Sequence, residues 1–375
     1  MKKRRLGVVT TSRADWGMLA LLSRKLEHSG LFDIEVIICG SHFNKVAGET
    51  YNEVEQYKFK STSITTDWND SASDIAAAVG IMTCKVATLS EQISFDALIV
   101  LGDRVELLAF IPSAVLKMIP IFHIHGGEVT LGAIDNKIRN AISMVSTLHF
   151  VSTQSHMGRL IDFGIDSSSV YDVGSLGVEN ALSLDLMTER ETKQLFDIPM
   201  HKPFCLVTLH PTTLAPKFDK KIIDNLVRLM VAETGFVWII TGVNCDPGFK
   251  IIQSRFIEVS DRFPHVHYFK NLGTTKYLSA LKYASVVLGN SSSAIIEAPS
   301  LKTPAVNIGR RQLGREAGPS VFHSDESFEQ IKYTFGCALK FEASKNQFEN
   351  PYAGERTSDA IIFALRRFFD GGDHS

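Results

Sequence analysis

Short runs of apolar and β-branched residues recur along the chain, separated by stretches whose apolar positions fall three and four apart. Residues 6–10, 34–39, 97–101, 119–123, 148–152 and 170–173 each have the length and composition of a buried strand. Residues 18–27 and 73–93 carry helical spacing between them. Alternation at this pitch predicts a parallel, doubly wound sheet with helices on both faces.

A second series follows at 204–209, 236–241, 266–268, 286–289 and 304–308. Between the two lies a polar crossing, residues 182–203, with Thr188-Glu189-Arg190-Glu191 and two prolines, Pro199 and Pro203. The predicted division is an α/β chain of two Rossmann-like halves, 1–185 and 186–355, with an amphipathic helix in 356–375 that packs back across the boundary. Two such halves facing each other would bring the loops at the carboxyl ends of both sheets to one central cleft.

Size and composition narrow the function class. With 375 residues the chain has room for two ordinary domains. An apolar content of 45% with 21% charged residues is that of a globular enzyme, and a net charge of −2 gives no reason to expect nucleic acid or an anionic membrane as partner. No apolar stretch is expected to approach the length of a membrane span. The basic run Lys2-Lys3-Arg4-Arg5 reads as a solvated start before the first strand, because the apolar stretch behind it is too short for a signal peptide. Five cysteines, odd in number and without a C-x-x-C pair, point to a reducing cytoplasm and no structural zinc.

The most telling stretch is Gly289-Asn290-Ser291-Ser292-Ser293-Ala294-Ile295-Ile296-Glu297. It joins an apolar strand to a segment with helical spacing. Small polar residues at such a turn leave N–H groups and hydroxyls converging on one spot, with a helix dipole behind, which suits a phosphate. An ordinary N-cap would use the same residues. Glu297 could accept from the vicinal hydroxyls of a ribose, and the next strand ends in Arg310-Arg311, so a nucleotide is the expected guest.

Four further clusters follow predicted strands: Thr11-Ser12-Arg13-Ala14-Asp15; Gly102-Asp103-Arg104-Val105-Glu106; His123-Ile124-His125-Gly126-Gly127-Glu128 with Asp135; and His210-Pro211-Thr212-Thr213. Charged groups at the strand ends of a doubly wound fold are site candidates by position. Each has a plainer reading: a turn salt bridge for Asp103 and Arg104, packing for His123, turn geometry for His125.

Taken in order with Asn307-Ile308-Gly309-Arg310-Arg311-Gln312-Leu313-Gly314-Arg315-Glu316, these clusters resemble the hydrolysing UDP-N-acetylglucosamine 2-epimerases of the bacterial sialic and legionaminic acid pathways. The resemblance runs from Thr10 to Tyr352 and implies the GT-B fold. It implies that Arg13, His210, Ser291, Ser292 and Arg311 hold the diphosphate and Glu297 the ribose. It assigns Arg104, Asn244 and Asp246 to the sugar, and Asp103, Asp135, His125, Glu128 and His210 to the chemistry. His125 stands where the family often has Glu. Three readings of it stay open: an imidazole takes over proton transfer, Glu128 does so, or the position shapes the sugar pocket.

The reaction implied is anti elimination of UDP to a glycal followed by hydration, which releases UDP and N-acetylmannosamine without metal or cofactor. Charge-assisted bonds of about 1.5–3 kcal/mol each from Arg13 and Arg311 would stabilise the leaving diphosphate. The UDP-N,N′-diacetylbacillosamine 2-epimerase reaction is the alternative. A GT-B glycosyltransferase and a non-catalytic nucleotide-sugar sensor are the rivals. A homo-oligomer is expected from the resemblance alone.

Overall fold

The computed structural model describes residues 3–44, 50–67, 71–131, 134–212, 219–243, 248–341, 348–354 and 356–371. The chain divides into two compact units. The first holds Met1–Glu128, Asp135–Asn180 and Tyr352–Ser375; the second holds Val129–Ile134 and Ala181–Pro351.

Among the described residues the first unit has a seven-stranded parallel sheet of β1 (Arg4–Thr10), β2 (Phe32–Cys39), β3 (Lys60–Ile64), β4 (Ala97–Leu101), β5 (Ile121–Ile124), β6 (Leu148–Val151) and β7 (Val170–Asp172), in the order β3-β2-β1-β4-β5-β6-β7. Every residue of β4 is buried, as a central strand covered by helices on both faces requires. One core packs the helix Arg13–His28 and the last helix, Thr357–Asp370, against one sheet face through Leu19, Leu22, Ile361 and Leu365. The opposite face carries Met82, Val86 and Leu89 of the helix Ala72–Gln92. The last helix is held by the fully buried Glu179, whose carboxylate accepts from the Ser358 N–H at 2.9 Å and from Lys25 Nζ at 2.8 Å.

The second unit has six parallel strands among its described residues: β8 (Phe204–Thr208), β9 (Val237–Thr241), β10 (Val266–Phe269), β11 (Val287–Gly289), β12 (Ala305–Ile308) and β13 (Val321–Ser324), ordered β10-β9-β8-β11-β12-β13. The strand order of each sheet reverses once, between β1 and β4 and between β8 and β11. Ligands of open parallel sheets bind outside the carboxyl ends of strands at such a switch. Four of the sequence clusters sit at those ends.

Two expectations need correcting. The helix Ala72–Gln92 is 21 residues long and apolar enough, by length and composition, to span a membrane. Its alanines, valines and small polar residues escape notice because no long run of bulky apolar residues marks them. The segment after Gly289 is a single turn, Ser293–Ile296, rather than a longer helix. The helix-dipole contribution expected there is correspondingly small, since the field comes from aligned peptide units. Hydroxyls and N–H groups must then supply the polarity of that loop.

Candidate active site

In the first unit, the turn after β1 is set by the carboxylate of Asp15. It accepts from the Thr11 N–H at 2.9 Å and the Ser12 hydroxyl at 2.7 Å, while Ser12 caps the helix that Arg13 begins. Arg13 is half-buried on the first helical position.

After β4 the chain turns at Gly102 and presents Asp103, whose side chain is 21% exposed. Two buried groups hold this turn. The ring of His123, on β5, contacts the Gly102 carbonyl through Nε2 at 2.8 Å and the Ser143 hydroxyl through Nδ1 at 3.0 Å. Burial holds this imidazole down to about 3, against the hydrogen bond to Gly102. A neutral ring must donate to the carbonyl through Nε2–H, so Nδ1 accepts from Ser143. His123 therefore braces the backbone, as the packing reading had it. The second group is Arg139, 2% exposed, which donates from Nη1 to the Glu128 carbonyl at 2.9 Å and from Nη2 to the Asp103 carboxylate.

Arg104 donates to Glu106 Oε1 at 3.3 Å. Burial pushes the Glu106 carboxyl up, and the guanidinium pulls it back. His125 has a left-handed backbone, φ +63°, and its Nδ1 lies 3.6 Å from Glu128 Oε1. Ser152 donates to the same Glu128 oxygen at 3.3 Å. A side chain held in that uncommon backbone region is tolerated where surrounding structure enforces it. Here His125 N–H is tied to the Phe150 carbonyl at 2.8 Å, and Gly127 (φ +74°) has no room for a Cβ, which would stand 2.4 Å from the His156 carbonyl. Asp135 begins the helix Asp135–Val145, one turn before Arg139.

In the second unit, His210 follows β8 and is 8% exposed. Its N–H donates to Asn290 Oδ1 at 2.7 Å, and its carbonyl accepts from Asn290 Nδ2 at 2.8 Å. The Asn290 carbonyl accepts in turn from Arg311 Nη1 at 3.2 Å and Gln312 Nε2 at 2.9 Å. Asn290 thus joins the loops after β8, β11 and β12. Gly289 permits this approach: with φ +135°, a Cβ there would lie 1.9 Å from the Thr208 carbonyl. Ser291 is buried, while Ser292 and Glu297 are half-buried beside it. The phenol of Tyr277 faces Ser293, Thr208 and Ser291; burial pushes it up, so it stays a neutral hydroxyl.

The structure therefore brings His210, Ser291, Ser292 and Arg311 around one loop, and Asp103 with Glu128 around Arg139. Asn244 and Asp246 lie outside the described residues. Sequence reasoning missed Arg139, Tyr277 and the bracing by Asn290 and Gln312. The spacing of Arg139 four residues beyond Asp135 was the available signal, since both then share a helix face.

The UDP-N-acetylglucosamine 2-epimerase family matches residues 24–366. The chain is 32% identical over 339 residues to the Campylobacter jejuni GDP/UDP-N,N′-diacetylbacillosamine 2-epimerase (hydrolyzing), covering 88% of each. It is 33% identical to the Escherichia coli polysialic acid biosynthesis protein P7, over 96% of this chain and 92% of that protein. The crystal structure of Neisseria meningitidis UDP-GlcNAc 2-epimerase bound to UDP-GlcNAc has the same fold, with a TM-score of 0.83 at 19% identity over 97% of this chain and all of the other. With two parallel, doubly wound sheets of the GT-B class and a match through most of its length, the chain belongs to the UDP-N-acetylglucosamine 2-epimerase family, as an enzyme acting on carbon 2 of a UDP-sugar.

Proposed function

We propose that the enzyme is hydrolysing and converts UDP-N-acetylglucosamine to UDP and free N-acetylmannosamine. The observation that supports the elimination step is the Asp103 carboxylate, held at the end of β4 by a buried arginine while its outer edge stays open to solvent, and the name of the hydrolysing Campylobacter relative supports release of the free sugar. Such a group can accept the proton on carbon 2. The electron pair of that C–H bond becomes the C1–C2 double bond, and the C1–O bond breaks with its pair leaving on UDP. Water then adds across the double bond, a proton to carbon 2 and hydroxide to carbon 1. Positive charge growing on carbon 1 as UDP departs is what makes so weak an acid reactive.

In this reading His210, Ser291, Ser292 and Arg311 hold the diphosphate with Arg13, and Glu297 holds the ribose. Asp135 and Glu128 are the remaining acids for the hydration step, and His210 is kept for the chemistry as well as for binding. Arg104, Asn244 and Asp246 meet the sugar. Donors aimed where charge develops supply most of the barrier lowering in such reactions. For His125 we favour a pocket-shaping role, in line with its fixed backbone and its contact with Glu128.

UDP-N,N′-diacetylbacillosamine is the second candidate substrate, favoured by the name of the Campylobacter relative. Incubation with each UDP-sugar in turn, following UDP and free reducing sugar by mass spectrometry, tests both. UDP and a free manno-configured sugar are expected with no acceptor added. A product still linked to UDP would overturn the hydrolysing reading.

We place the enzyme in a reducing cytoplasm, where the buried thiols Cys39 and Cys205, pushed well up by burial, would stay reduced. We also propose a homo-oligomer. Ile81, Val115, Leu116, Met118 and Met144 are exposed apolar side chains on the first unit that a second copy could cover.

A further inference from the structure

An arginine that is 2% exposed must justify its burial, because a guanidinium stays charged and carries five donors that all want partners. Arg139 finds its partners on two different loops. One is the carbonyl of Glu128, after β5; the other is the carboxylate of Asp103, after β4.

The helix that carries Arg139 holds the same turn a second time. Ser143, four residues further on, bonds His123, and His123 bonds the carbonyl of Gly102. Asp135, Arg139 and Ser143 fall at i, i+4 and i+8, so they lie along one helix stripe. Asp103 is therefore fixed at its main chain through Ser143 and His123, and at its side chain through Arg139. Such double fixing is what a reacting group needs, because small misplacements of a proton acceptor cost large factors in rate.

We propose that Arg139 is a positioning residue that sets the Asp103 carboxylate as proton acceptor for carbon 2. This rests on the reading that Asp103 moves that proton. A fixed cation beside a carboxylate also favours its charged form, the form that accepts rather than donates. The other ionisable groups on these elements are Arg104 and Glu106 after β4, His123, His125 and Glu128 on and after β5, and Asp135 on the helix. Among them His123 is neutral, and Arg104 is engaged with Glu106.

The test uses Arg139→Ala and Arg139→Lys in the full chain, with solvent deuterium incorporated at carbon 2 as the readout. That readout reports the proton step whether the product is free sugar or remains on UDP, so failure of the hydrolysing reading shows separately in the product. Arg139→Ala is expected to lower kcat about a hundredfold or more with UDP affinity unchanged, and to move the acidic limb of the pH profile up by about one to three units, the usual effect of an arginine on a neighbouring carboxylate. Millimolar guanidinium should restore part of the lost rate. Arg139→Lys keeps the charge without the fork, so it should retain the wild-type acidic limb with a lower kcat. Adding Asp103→Asn to Arg139→Ala should cost little more than Asp103→Asn alone. An unmoved acidic limb, no rescue, or fully additive losses in variants that still bind UDP would overturn the proposal.

Discussion

Asn290 pairs reciprocally with the main chain of His210, accepting its N–H at 2.7 Å and donating to its carbonyl at 2.8 Å. A side-chain amide serves both, because it carries a donor and an acceptor side by side. The pair locks the loops after β8 and β11 together at the point where the strand order of the second sheet reverses.

The Asn290→Asp variant tests this. A carboxylate would face the His210 carbonyl as acceptor against acceptor, in a position with no solvent exposure. Leaving such a buried group unsatisfied costs about 1–3 kcal/mol. A lower Tm is expected together with at least tenfold weaker UDP binding by calorimetry. Wild-type UDP affinity in the variant would mean that the loop is held by other groups.

For Asp103, replacement by Asn preserves size and hydrogen bonding while removing the proton acceptor. UDP affinity should hold within a few-fold, and turnover should fall by about two to four powers of ten. Near-normal release of UDP would remove Asp103 from the chemistry.

Glu297→Ala is expected to weaken UDP but not inorganic pyrophosphate, because the carboxylate is proposed to meet the ribose hydroxyls. Competition assays against substrate turnover with both ligands make the comparison. Equal weakening of the two would place Glu297 at the diphosphate instead.

Acid should destabilise the first unit through its buried histidines. Burial holds His123 down to about 3 and His149 and His42 each to about 4, below the 6.5 of an exposed ring. Since the unfolded chain then binds protons that the folded chain refuses, stability is present above about pH 6.5 and is lost progressively as pH falls toward 4. Tm measured between pH 7 and 4 should fall steadily, and His149→Phe should flatten the fall. A Tm independent of pH in that range would contradict it.

Oligomerisation is checked by Leu116→Glu with Met118→Glu, two residues that are 83% and 88% exposed. If the apolar face is covered by a second copy, light scattering should show a smaller species. An unchanged mass would place the contact elsewhere.

The sequence by itself determined the doubly wound class and where the central strands lie along the chain. The reason is local: β4 and β8 are buried along their whole length, so each must be a short apolar run, and that run is visible without knowing its neighbours. The edge strands β3 and β13 were not legible. Lys60-Ser61-Thr62-Ser63-Ile64 has one buried residue, and Val321-Phe322-His323-Ser324 only two, so pairing with a neighbour rather than composition makes them strands.

Tertiary structure alone decided which polar residues meet. Arg139 reaches Asp103 across thirty-six positions, and Asn290 reaches His210 across eighty. Hydrogen bonds and ion pairs act over a few ångströms, so partners that far apart in the chain become partners only when the strand order carries them to one sheet end. The shortness of the turn at Ser293–Ile296 was settled the same way, since helical spacing in a sequence does not say where packing ends the helix.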